Sequence, residues 1–362
     1  MPNGRRGLLA AIFAVLALGC AAAAMAAATA PPGFVGMVSE DTVAGRASYQ
    51  SAQLSAMRAA GVTLLRETFD WSMIERRRGV YNFSFYDPVV EAAARRGIQI
   101  MPDLFDPPAF RSARPRGSRL RGTYPPASNS SLAAFAQAAV RRYGPNGSFW
   151  ATHRSVAPMP IRIWQVWNEP NLPVFWLPKP SASQYVAMLA AADQAIHALD
   201  PSAEVVSAGI PQSKLGVELF TYLRGLLAAG AAKSMNTLGV NAYSHTASGM
   251  IALLKQVRST LNGSGAANVA IRVTEFGWSD GGPGSSFTLT PTGQATQIAA
   301  AIRDFGLERS ALDLRGFVYF DWRDARPYPG IGDFWGLHTG LLHLNGKPKP
   351  ALQAFSAAAH SL

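Results

Sequence analysis

Eight short apolar runs, each followed by a longer helix-like stretch, constrain this chain more than any other feature. The runs cover 34–38, 63–66, 98–102, 161–167, 204–207, 238–242, 270–274 and 316–320, and they are rich in Val, Ile, Leu and aromatic residues. Between them lie Ala- and Leu-rich stretches such as 86–95, 131–142, 183–199 and 251–261. Ser181 and Ser183 precede one such stretch and Asp200-Pro201 follows it, which are start and stop signals for a helix. Strands that are apolar on both faces belong in a parallel sheet covered by helices. Eight strand–helix units in a chain somewhat longer than the roughly 250 residues typical of the fold predict a (β/α)8 barrel. An open doubly wound sheet is the alternative, but no glycine-rich phosphate fingerprint follows the first run. No linker, repeat or low-complexity tail divides residues 31–362, so one domain is expected.

Residues 1–30 are set apart from that domain. Arg5 and Arg6 precede an uncharged apolar run, 7–30, that ends in small residues, as in a secretory signal. Cleavage near 26–28 would give a secreted protein; an uncleaved segment, long enough to span a bilayer, would tether the chain at the cell surface. The single cysteine, Cys20, lies in this segment, so the exported domain would have no disulfide or thiol chemistry. Of the 362 residues 48% are hydrophobic and 15% charged, ample for a large core without cross-links. The net charge of +11 is carried mostly by Arg, part of a general Ala/Arg bias. Arg111, Arg114, Arg116, Arg119 and Arg121 are concentrated in one Pro/Gly-containing loop after the third run. They read either as a solvated loop or as a binding site for an anionic glycan.

In a barrel of this kind chemistry gathers at the C-terminal ends of the strands. The fourth run ends in Trp167-Asn168-Glu169-Pro170 and the seventh in Thr274-Glu275-Phe276-Gly277, placing a carboxyl at two strand ends across the barrel. Glycosidic cleavage requires such a pair, one acid to protonate the leaving oxygen and one carboxylate to attack or to activate water. Aromatic and Pro neighbours would desolvate both groups and shift their pKa values.

Asn168-Glu169-Pro170 after a Trp-rich strand, followed by Thr274-Glu275-Phe276-Gly277, resembles the clan A glycoside hydrolases, which are retaining (β/α)8 enzymes. The segment from Gly61-Val62 through Arg66, Asp70-Trp71, Ile74-Glu75 and Gly79-Val80-Tyr81 is similar to family 39-like and family 5-like members. The resemblance implies Glu169 as general acid/base and Glu275 as nucleophile. It further implies Asn168 on the substrate 2-hydroxyl, Arg66 beside Glu275, Tyr243 hydrogen-bonded to Glu275, and Trp322 as the platform under the reacting sugar. Two positions depart from the pattern. Asp103 and Asp106 stand where many members carry His or Asn, and Asn241 replaces a His, with His245 just beyond.

Further substrate contacts are expected from aromatic faces, which stack on the C–H faces of sugars. Trp176 and Trp278 sit in polar loops and are the expected subsite residues; His245 is a candidate partner for a sugar hydroxyl. Asp321, Arg323, Asp324 and Arg326 are expected to pair with one another. The six histidines lack metal-ligand spacing, so neither a metal nor a cofactor is expected. The reading is a retaining β-glycosidase, monomeric, acting on carbohydrate and not on nucleic acid. Its rivals are a glycan-binding barrel without turnover and a basic surface protein that holds anionic polysaccharide.

Overall fold

The computed structural model describes residues 29–327 and 332–362. The segment read as a signal or anchor, with Cys20, falls outside the described residues except for Thr29 and Ala30.

Eight parallel strands close a barrel in sequence order: β1 (Val35–Val38), β2 (Leu64–Asp70), β3 (Gln99–Phe105), β4 (Ile163–Asn168), β5 (Glu204–Pro211), β6 (Thr237–Asn241), β7 (Ala270–Phe276) and β8 (Leu314–Tyr319). Each strand matches one of the eight apolar runs. β2, β3, β5 and β7 extend further than the runs do. Their last residues, such as Thr68, Asp70 and Glu275, are polar yet remain in the ladder, with Thr68 opposite Asp103 and Asn241 opposite Glu275. Polarity there marks the inside of the barrel mouth, not the end of a strand.

The helices Ala47–Ala59, Asp87–Ala94, Asn129–Tyr143, Ala182–His197, Leu219–Ala228, Ala247–Gly263, Pro291–Leu312 and Pro350–His360 make the outer ring. Several start as the sequence dictates. Ser181, Thr246 and Thr290 each turn a side-chain oxygen to a backbone N–H of the first turn, and Pro291 follows Thr290 at a position where no N–H is needed. The apolar stripes of these helices and the outward residues of the strands form one continuous core.

The inward residues form three layers. At the N-terminal end Arg272 donates to Glu204 (3.1 Å) and to the Gly33 carbonyl (3.0 Å), and Thr237 also donates to Glu204 (2.9 Å). The middle layer is apolar: Val38, Leu64, Met101, Val206 and Val318, with Ile163 and Phe320 packed against them. The C-terminal layer is polar again and carries the candidate site.

Candidate active site

Arg66, on β2, organises the C-terminal layer. Its side chain is 7% exposed, and each of its three nitrogens has a partner. Nε donates to Gln165 Oε1 (2.7 Å), Nη1 to Glu275 Oε1 (2.9 Å), and Nη2 to both Asp103 Oδ2 (3.3 Å) and Asn168 Oδ1 (3.1 Å). Glu275 is held from its other side by the Tyr243 hydroxyl, which donates to Oε2 at 2.9 Å. Both oxygens of Glu275 are therefore fixed by donors while the group stays at the mouth, 8% exposed.

Glu169 is held differently. Asn241 Nδ2 donates to its Oε1 at 2.7 Å, and Thr274 donates to Asn241 Oδ1 at 2.7 Å, which sets the orientation of the amide. Burial pushes the Glu169 carboxyl up to about 8, with the neighbouring Glu275 charge adding to it and the Asn241 donor opposing it. Trp167 (φ 75°) and Glu169 (φ 43°) both lie in the left-handed region, conformations that cost of order 1–3 kcal/mol and persist only where the surroundings fix them. Here the surroundings do. The Trp167 indole donates to the Phe175 carbonyl (2.9 Å), its ring packs on Phe105 and Trp176, and the Glu169 N–H donates to the Gly209 carbonyl (3.1 Å).

Further carboxyls crowd this layer. Asp103 is buried, and burial pushes it up to about 7 against the pull of Arg66. Where many members of the resembling families carry His or Asn, this carboxyl is an internal partner of Arg66. Asp106 lies just past β3 with φ 57°, and its backbone carbonyl accepts from the Ser72 N–H just past β2. Glu40, just past β1, keeps part of its surface in solvent and is pushed up to about 7, by desolvation first and by the Glu275 charge next.

Glu169, Glu275, Arg66, Asn168 and Tyr243 are thus brought together. Asn168 Oδ1 is engaged by Arg66, and its Nδ2 has no partner among the described residues, which leaves it free to donate to a hydroxyl. The tryptophans are not where they were expected. Trp322 is 1% exposed, packed outside the barrel with its indole donating to Gln53 (2.8 Å). Strand pairing ends before it, so the in–out alternation no longer aims it at the mouth. Trp278 is fully buried and donates to the Ser244 carbonyl (2.9 Å), while Trp176, also buried, packs between Trp167 and Tyr185. These three rings offer no open face and act as supports. His245 is exposed and binds the Ser286 carbonyl, tying the β6 and β7 loops together. Nor do Asp321, Arg323, Asp324 and Arg326 pair with one another. Asp324 binds Lys349 (2.7 Å), and Arg323 faces Asp41 (3.3 Å).

The aromatic faces left open at the mouth are others. Phe320 lies on the apolar middle layer and is half-buried. Trp335 and Phe287 are half-buried and pack edge-on or tilted against Tyr243, with centroids 5.1 and 5.9 Å away. Strand alternation signals Phe320, two residues past the inward Val318. Gly209 was also missed. A Cβ there would collide with Asn241 Oδ1 and Thr274 Oγ1, so this glycine allows the amide to reach Glu169.

A barrel with two glutamates at the ends of β4 and β7, the second held by an Arg on β2 and a Tyr beyond β6, resembles the plan of clan A glycoside hydrolases. Comparison with known proteins points the same way. The beta-galactosidase family, glycoside hydrolase family 42, matches residues 45–109, a stretch that includes Arg66 and Asp103. No curated protein matches the chain. Among solved structures, a family 39 glycoside hydrolase from Bacteroides cellulosilyticus WH2 superposes with a TM-score of 0.65 at 20% identity, covering 90% of this chain and 63% of its own. A monomeric beta-xylosidase from Caulobacter crescentus CB15 gives 0.65 at 18%, covering 91% and 69%. The exo-beta-1,4-mannosidase Op5Man5 from Opitutaceae bacterium strain TAV5 gives 0.61 at 17%, covering 92% and 60%. At these identities the shared property is the (β/α)8 fold, and this chain spans less than two thirds of the first and third of those structures.

Proposed function

We propose that the chain is a retaining glycoside hydrolase that cleaves β-type O-glycosidic bonds in an oligo- or polysaccharide. The observation that carries this reading is the unequal treatment of the two glutamates. Glu169 is enclosed so that it keeps its proton near neutral pH, as a general acid must. Glu275 is bound as a carboxylate by a guanidinium and a phenol.

In the first step a Glu275 oxygen bonds to the anomeric carbon as the bond to the leaving oxygen breaks. That oxygen takes the Glu169 proton. Because the Asn241 N–H already occupies Oε1, the proton sits on Oε2. In the second step Glu169, now a carboxylate, takes a proton from water. The water oxygen bonds to the anomeric carbon, and the ester to Glu275 breaks. The Asn168 amide would hold a sugar hydroxyl, and Phe320 would lie beneath the ring. The neighbours' printed activities, beta-xylosidase and exo-beta-1,4-mannosidase among them, agree with a β-linked substrate.

The test is hydrolysis of a panel of aryl β-glycosides and β-linked polysaccharides, with proton NMR of the first product formed. Retention of the β-anomer is expected; release of the α-anomer first would sink the double displacement. Loss of turnover in both Glu169→Gln and Glu275→Gln separates this reading from a barrel that only binds glycans.

A further inference from the structure

Two clusters of arginine lie in adjacent loops at the C-terminal face of the barrel. Arg76, Arg77 and Arg78 are exposed in the loop after β2, and Arg116, Arg119 and Arg121 are exposed in the loop after β3. None of the six forms an ion pair among the described residues, and the segment between Pro107 and Ala127 contains no acidic residue. Arg111 is not part of this set. Its guanidinium forks onto Glu75 (2.6 Å), a carboxylate that also accepts from the Trp71 indole and the Gly79 N–H, both at 2.6 Å. Arg111 is therefore the anchor of the loop.

Other contacts fix the loop in place. Arg78 donates to the Phe110 carbonyl (2.7 Å) and lies over the Phe110 ring, joining the two loops. At the far end the Thr123 N–H donates to the Val174 carbonyl (2.8 Å) and the Leu177 N–H to the Thr123 carbonyl (2.9 Å). These bonds tie the loop to the segment after β4, which begins with Glu169. Unpaired cations are thus held on a secured frame that runs from the β2 loop to the acid/base strand. A solvated loop has no need of such fixing.

The reacting position has the opposite character. Glu169, Glu275 and Asp103 surround Arg66, four of whose five N–H donors are engaged by protein groups and whose charge already faces two carboxyls. An anionic sugar there would add a further negative charge with no free cation to meet it.

Building on the glycosidase reading, we propose that the substrate is an acidic polysaccharide whose carboxylated residues bind along the Arg76–Arg78 and Arg116–Arg121 rim, while a neutral sugar occupies the reacting position. Arg grips carboxylates bidentately, and a row of them also steers a polyanion into the cleft.

The test compares binding of a β-1,4-glucuronan oligomer with that of the cello-oligosaccharide of equal length, using the full chain at low and high salt. The wild type should bind the glucuronan at least about tenfold more tightly at low salt, roughly 1.4 kcal/mol, and lose that advantage as salt rises. Arg76→Gln/Arg116→Gln/Arg119→Gln/Arg121→Gln should abolish the preference and leave hydrolysis of a neutral aryl β-glycoside unchanged. Equal binding of the two oligomers, or a preference the variant keeps, would overturn the proposal. So would duplex DNA or phosphatidylglycerol vesicles displacing the glucuronan at equal charge, or an aryl β-glucuronide cleaved faster than its neutral counterpart. A glucuronan preference in a chain that cleaves no glycoside would instead count against the glycosidase reading alone.

Discussion

The barrel holds two ionic layers, one at each end of the same apolar plug, and they are built on different rules. At the N-terminal end Arg272 faces one carboxylate, Glu204, and the remaining bonds are to a hydroxyl and a backbone carbonyl. Charge is balanced and every partner is spoken for. At the C-terminal end one guanidinium faces Glu275 and Asp103, with Glu169 and Glu40 close by. That layer has more carboxyls than cations, and several of them respond by keeping a proton. A balanced buried pair holds strands together; an unbalanced one stores protons and charge for use on a ligand.

The sharpest way to break the comparison is to mutate the same chemistry at both ends. Glu275→Gln should lower kcat by roughly 10^4- to 10^6-fold, as losing a nucleophile does, with little change in melting temperature. Glu204→Gln should do the reverse. It strands Arg272 without a counter-charge and should cost about 3 kcal/mol in denaturant unfolding, with kcat retained. If both substitutions act mainly on stability, the top layer is structural and the distinction fails.

Smaller changes sharpen the picture. If Glu169 is the general acid proposed above, it loses its proton above pH of about 8, and kcat/KM should fall along an alkaline limb near that value. With a dinitrophenyl glycoside, whose leaving group needs no proton, the limb should flatten. Gly209→Ala should displace Asn241 from Glu169, relieving the opposition of the amide to the raised pKa and moving that limb upward. Activity should drop by about tenfold to a hundredfold, at the low end of what general acid catalysis contributes. A limb that stays in place would mean that Asn241 does not tune Glu169.

The two layers also differ in how far the sequence revealed them. Period and composition located all eight strands, because a buried parallel strand announces itself as an unbroken apolar run. The two glutamates were legible because they stand at the ends of such runs. Arg66 and Tyr243 were legible only through the resemblance that supplied their roles. The tryptophans were misplaced for a physical reason: a loop position does not tell which way a side chain turns, and Trp322 folds back onto Gln53. Phe320 was hidden in plain alternation, two residues beyond Val318. Asn241 looked like a defect of the pattern and is instead the partner of Glu169. The bottom layer was invisible, since Glu204 and Arg272 are more than sixty residues apart.

The last contrast is in pH dependence of stability, where the C-terminal layer and the Glu75 anchor of the Arg111 loop should part by sign. In the folded chain Glu169 is raised to about 8, and Asp103 and Glu40 to about 7, each above the value of an exposed carboxyl. Between about pH 4 and 8 the unfolded chain has already released these protons and the folded chain still holds them, so folding takes protons up and stability falls as pH rises. Glu75 acts in the opposite sense. Burial pushes it up, but Arg111, the Gly79 N–H and the Trp71 indole together bring it below the usual range, so its contribution is lost only in acid. Melting temperature should therefore peak near pH 5 and decline by a few degrees toward pH 8. Glu169→Gln, which has no proton to lose, should make that decline shallower. Parallel curves for wild type and Glu169→Gln would mean that the top layer does not store protons, and the contrast between the two ends would reduce to one of geometry.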